Sequence, residues 1–121
     1  MQTTQKNFYK KLFGEVGEKQ AVKYLKKQKC KILEKNYTTH LGEIDIICKD
    51  GEYTVFVEVK TRKNNNYGEP SEAVNKFKRQ KYFKVATEYL MRKGLLDSPC
   101  RFDVIEIENG KINHIKDAFC M

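Results

Sequence analysis

At 121 residues the chain is long enough for one hydrophobic core and too short for a second. Its 24 Lys and Arg against 16 Asp and Glu leave a formal charge of +8, which favours an anionic partner, and the excess of lysine over arginine suits phosphate contacts better than bidentate reading of bases. No run approaches the roughly 18 apolar residues of a membrane span, no N-terminal stretch has a signal-peptide core, and the four cysteines form no C-x-x-C pair, so a cytoplasmic domain with free thiols is expected rather than a membrane protein, a disulfide scaffold or a zinc module.

A first helix is predicted from about Asn7 to Lys29, with Gly14 and Gly17 permitting a bend or a close neighbour. At 100° per residue, Glu18 falls within about 60° of Ala21, Val22 and Leu25, in the middle of an apolar stripe. An acid there serves either as a partner of the helix dipole or as part of a site. Lys31 to Thr38 reads as a first strand, and Thr39 to Gly42 as a turn in which His40 is expected to be exposed and inert.

The most informative segment follows. Gly42-Glu43-Ile44-Asp45-Ile46-Ile47, an Asp50-Gly51 turn, and Val55-Phe56-Val57-Glu58-Val59-Lys60 form a predicted β-hairpin. Asp-Gly favours a type I′ loop, which would pair Lys49 with Glu52, Ile46 with Val55, and Glu43 with Glu58. Alternation then puts Ile44, Ile46 and Cys48 on one face with Val55, Val57 and Val59. The other face collects Glu43, Asp45, Phe56, Glu58 and Lys60. Ile47 and Phe56 lie on that acidic face, so both faces are apolar enough to be covered, and acids in a covered strand need partners. A divalent ion on Asp45 and Glu58, with Lys60 beside them, would satisfy the charges, whereas a solvated amphipathic hairpin with a salt-bridged lysine is the simpler alternative.

Thr61 to Pro70, with three consecutive asparagines, is a polar loop leaving the site end of the hairpin. A second helix is predicted from an N-cap at Ser71 to Lys93, with Gly94 as its C-terminal signal and Val74, Phe77 and Val85 on its inner side. Lys78 and Lys81 lie among these apolar positions and serve either as snorkelling stems or as phosphate contacts. Arg62, Lys63, Lys78 and Lys81 are the candidate nucleic-acid contacts. Arg101 to Ile107 reads as a fourth strand, and Asn109-Gly110 as a tight turn into a short fifth from Lys111. The order is α-β-β-β-α-β-β in a single α/β domain spanning 1–121.

The G-E-I-D-I-I and V-F-V-E-V-K-T-R segments, Gly14 with Gly17-Glu18, and the Arg101-Phe102-Asp103-Val104 strand together resemble the YraN family of small bacterial proteins. That family is similar to the archaeal Holliday junction resolvases and the wider PD-(D/E)xK nucleases. The resemblance implies a restriction-endonuclease-like fold, a mixed central sheet flanked by helices, and Mg²⁺- or Mn²⁺-dependent hydrolysis of nucleic-acid phosphodiesters, with DNA, including branched DNA, as the substrate. It implies that Asp45 and Glu58 are metal ligands, with the Val59 carbonyl, that Lys60 is the motif lysine, and that Glu18 is a first-helix acid beside the metal, with Glu43 able to assist. A homodimer is a further implication, since a four-way junction presents two symmetric strands. Ile44 stands where the superfamily's name has proline. A non-catalytic nucleic-acid-binding or adaptor protein on the same fold is the alternative.

Overall fold

The computed structural model describes residues 2–62 and 76–120, with the side chains of 14–62 and 76–120. The expected N-cap at Ser71, the inner position Val74, Lys63 and the rest of the polar loop after it lie outside the described residues. The elements are α1 (Gln2–Lys27), β1 (Lys31–Thr39), β2 (Gly42–Asp50), β3 (Tyr53–Arg62), α2 (Lys76–Lys93), β4 (Cys100–Glu108) and β5 (Lys111–Phe119), in the order the sequence predicts.

One sheet carries all five strands in the order β1-β2-β3-β4-β5. The first three form an antiparallel meander, β3 and β4 are parallel, and β5 returns antiparallel. A parallel neighbour cannot be reached by a tight turn, so the chain crosses over through α2. The two helices then cover opposite faces. Ala21 and Leu25 of α1 pack with Ile46, Cys48, Val55, Val57, Ile105 and Ile107. Tyr82, Val85, Ala86, Tyr89 and Leu90 of α2 pack with Ile44, Ile47, Phe56, Phe102 and Phe119. There Phe102 stacks between Phe56 and Phe119, with ring centroids 5.3 and 5.2 Å away.

Both helices end in the same way. The Gly94 N–H donates to Met91 O and that of Leu95 to Leu90 O, with Gly94 left-handed (φ 69°), which is the Schellman closure expected of glycine. At the end of α1 the same pair of bonds runs from Lys29 to Lys26 and from Cys30 to Leu25, but a lysine holds the left-handed position (φ 69°). Asn109 and Gly110, at φ 52° and 78°, close the β4–β5 turn as predicted, and β5 extends through Phe119 rather than stopping short.

Three expectations are corrected. The hairpin loop is Gly51-Glu52, not Asp50-Gly51, because Asp50 pairs with Tyr53 while its carboxylate accepts a hydrogen bond from Arg101 at 2.9 Å. Positive φ at Gly51 alone is the pattern of a type II′ loop. This slips the register by two residues, so the faces survive but Glu43 no longer opposes Glu58. Secondly, Ile44 joins the α2 side with Ile47, not the α1 side with Ile46. Alternation breaks across Asp45, at the level where Asn36 of β1, between the pairs Lys35↔Ile46 and Tyr37↔Ile44, has φ 52°. Thirdly, Phe77, expected inside, is exposed. Register also shifts between Ile32 and Glu34 on β1 and between Phe102 and Val104 where β4 meets β5.

Candidate active site

The β2–β3 ladder ends at Ile46↔Val57, one residue before Asp45 and Glu58, and beyond it the side chains take over from the backbone pairing. Asp45 Oδ2 accepts the Val59 N–H at 2.8 Å, which ties its carboxylate to β3. Glu58 is 5% exposed and accepts from three donors. The Tyr82 hydroxyl reaches Oε1, the Lys78 ammonium reaches Oε2, and Lys60 lies 3.3 Å from that same oxygen. Lys78 and Tyr82 are four residues apart on α2, so one helix face delivers both to the acid.

The charges follow from this arrangement. Burial pushes the Asp45 carboxyl up, the neighbouring Glu58 carboxylate pushes it further, and it reaches about 8. Burial acts in the same sense on Glu58, yet its bonds to Asp45, Lys78 and Tyr82 outweigh it and hold the group below the ordinary glutamate range. Of these two carboxyls in contact, the half-buried Asp45 is thus the one that favours holding a proton, because Glu58 has the cationic donors. Burial and the adjacent Lys78 lower Lys60. Burial would lower Lys78 too, but its bond to Glu58 prevails and raises it.

Two clefts border Asp45. The one on the α2 side, about 490 Å³, is walled by Glu43, Glu58, Phe77, Lys78 and Lys81. The one on the α1 side, about 320 Å³, is walled by Glu18, Lys35 and Asn36. Glu18 is half-buried there; burial raises its carboxyl, a hydrogen bond with Asn36 opposes this, and Glu43, Glu15 and Glu58 add repulsion. Glu18 and Glu43 therefore flank Asp45 from opposite sides. Among the described residues no three His, Cys, Asp or Glu close around one point.

The structure brings Asp45, Glu58, Lys60 and the Val59 backbone together and adds Lys78 as a direct partner of Glu58. Lys81 lies on the cleft wall. Arg62 is apart from them, in a cleft with Glu106 and Glu108 on the β4 side. His40 is exposed in its turn.

Tyr82 was not singled out by the sequence reading, although the Lys78-x-x-x-Tyr82 spacing was available as a signal. A second polar cluster also escaped it. Asp103 is fully buried and accepts from Arg101 Nε at 2.9 Å, from the Asp117 N–H at 2.9 Å, and bonds His114 Nε2 at 2.7 Å, while His114 Nδ1 meets the Tyr24 hydroxyl at 3.0 Å. The sequence hint of this cluster is the Arg101-Phe102-Asp103-Val104 strand, which places Arg101 and Asp103 on one face.

Over residues 17–107, a span holding every residue of the Asp45–Glu58 cluster, the chain matches the uncharacterised protein family UPF0102. It belongs to that family. This is the YraN family that the motifs resemble. Similar proteins include a UPF0102 protein of Alkaliphilus metalliredigens, 48% identical over 90% of this chain and 98% of its own length. Another, from Clostridioides difficile, is 49% identical over 88% of this chain and 95% of its own length. A third, from Thermodesulfovibrio yellowstonii, is 50% identical over 88% of this chain and 94% of its own length. No helix among the described residues is long and apolar enough to cross a membrane.

Proposed function

We propose that this chain is a Mg²⁺- or Mn²⁺-dependent endonuclease on a restriction-endonuclease-like fold, hydrolysing phosphodiesters of nucleic acid, with DNA the favoured substrate. The observation that carries this reading is the meeting of two carboxyls, the half-buried Asp45 and the buried Glu58, at an open cleft with Lys60 alongside. Adjacent hard oxygen donors at a cleft suit Mg²⁺, which takes one or two carboxylates and fills its remaining positions with water and phosphate. Asp45 and Glu58 would hold the ion, with the Val59 carbonyl as a third donor and Glu18 or Glu43 at its outer edge. When bound, the ion supplies Lewis-acid polarisation of the phosphate and a more acidic water.

The chain's own groups divide the remaining work. The Val59 N–H fixes the Asp45 carboxylate, and Tyr82 fixes that of Glu58. Lys60, whose pKa is lowered, is suited to orient the attacking water or to stabilise charge developing on the phosphoryl oxygens. Lys78 holds Glu58 by the oxygen nearest Lys60 and would have to release it as the ion enters. Exposed lysines, with Lys81 on the cleft wall, would grip the backbone without reading sequence.

One observation favours a second reading. Glu58 is already neutralised by Lys60, Lys78 and the Tyr82 hydroxyl, which suits a non-catalytic nucleic-acid-binding protein on the same fold. The two readings separate in a cleavage panel of junction, flap, single-stranded and duplex DNA with Mg²⁺ or Mn²⁺, run beside Asp45→Asn and Lys60→Ala. The nuclease reading expects cleavage that Asp45→Asn abolishes and that Lys60→Ala slows by on the order of 10² or more, the scale of a lost electrostatic stabiliser. Cleavage at the parental rate by both variants would assign the activity elsewhere, and DNA binding without cleavage would put the second reading first.

A further inference from the structure

Phe77 is the second described residue of α2, with 77% of its surface exposed, more than any other large apolar side chain described. Met91, the other exposed apolar side chain of this helix, is at its far end, whereas Phe77 lies on the wall of the cleft that holds Asp45 and Glu58. Lys78 is next to it in sequence and Lys81 follows one helical turn on, both on the same wall. The aromatic contacts of the α2 face run through Phe56, Phe83, Phe102, Phe119, Tyr82 and Tyr89, and none among the described residues includes Phe77. The ring is left out of the core and open to solvent on the cleft wall.

Resting on the phosphodiester reading above, we infer that Phe77 is a stacking platform for an unpaired nucleobase, so that the strand entering the cleft is single-stranded where it passes Asp45 and Glu58. In a duplex the base faces are hidden by their neighbours and only edges and phosphates are presented, so a lone phenyl gains little from it. An unpaired base offers a whole face, and a stacking ring beside cations that hold the phosphates is the general solution for single strands. The inference assigns the substrate class as strands carrying unpaired positions, such as flaps, loops and branch points, over intact duplex.

The chain contains no tryptophan, so Phe77→Trp installs a single reporter at the ring position. Binding of a labelled 20-nucleotide single strand and of its duplex is measured in EDTA, where metal-dependent cleavage is silent. The single strand is expected to quench the introduced indole, and Phe77→Ala to weaken single-strand binding by roughly tenfold while changing duplex binding by less than about twofold. Quenching in a protein that cleaves no substrate supports the stacking role and removes only the hydrolysis reading. An indole left unquenched at saturation, or equal losses on single strand and duplex, overturns the inference. So does a Phe77→Ala variant that becomes monomeric from a dimer with strand binding intact, since the ring would then cover a second copy of the chain.

Discussion

Gly17 of α1 sits directly over Thr61 of β3, so close that a Cβ on the glycine would overlap the threonine Cγ2 and lie 3.3 Å from its Cβ. Gly14, one turn earlier, has open space. The neighbour at Gly17 is a β-branched side chain on a strand, with little freedom to move aside. Gly17→Ala should therefore destabilise the fold by about 1–3 kcal/mol despite the better helix propensity of alanine. Urea unfolding checks this, and adding Thr61→Ser, which removes the clashing methyl, should restore most of the loss. A double variant as unstable as Gly17→Ala would refute the steric explanation.

Asp45 links the site to pH. Its carboxyl is raised from 3.8 to about 8, so the folded chain holds a proton that the unfolded chain releases across that window. Its contribution to stability is complete below 3.8 and is lost as pH climbs to about 8. A divalent ion would take the place of that proton, so the gain in Tm from Mg²⁺ should grow between about pH 5 and about 8. Asp45→Asn should flatten both the metal response and its pH dependence in thermal melts. A full response in that variant would move the metal site away from Asp45.

Asp103 acts in the opposite direction. Burial alone would raise its carboxyl, but bonds from His114, Arg101 and the Asp117 N–H prevail and hold it below the ordinary 3.8. Its stabilisation is complete above that value and is lost as pH falls through the lowered folded pKa. Asp103→Asn should cost about 3 kcal/mol near neutrality, the scale of breaking one side of a buried ion pair, and should shallow the acid limb of the stability profile. An acid limb unchanged by the substitution would show that other carboxylates control it.

Lys29 occupies the left-handed position that closes α1, where glycine closes α2. A side chain there is strained by about 1 kcal/mol, part of which glycine returns as unfolded-state entropy. Lys29→Gly should stabilise the chain by roughly 0.5 kcal/mol, read as a higher urea midpoint at unchanged slope. A lower midpoint would mean that the lysine stem contributes more than its backbone strain costs.

The order of elements was legible because each strand and helix has the right hydrophobic period and each turn has its own chemistry. Asn109-Gly110 and Gly94 are clear examples. The hairpin faces also survived a wrong loop, since a two-residue slip preserves parity, and so Asp45, Glu58 and Lys60 stayed together. What failed was long-range. Asp50 is held by Arg101 from a strand fifty-one positions away, which no local turn rule can anticipate. Ile44 changed faces because β1 carries a left-handed Asn36 opposite the break, and Tyr82 joined Glu58 only through the docking of α2. The partners of a buried acid are set by tertiary packing and leave little trace in local spacing.

The two kinked outer strands govern how copies of the chain can meet. β1 combines a register shift at Ile32/Glu34 with left-handed Asn36, and β5 faces the shift at Phe102/Val104 and carries left-handed Asp117. Lys31, Lys35, Lys111 and Lys116 are exposed along them. A flat, unpaired strand edge is a template for another chain, and bending and lysines are two of the devices that spoil it. Extension of the sheet from one molecule into the next is thus disfavoured at both ends. These features steer self-association away from the sheet edges and work against the edge-to-edge stacking that leads to fibres.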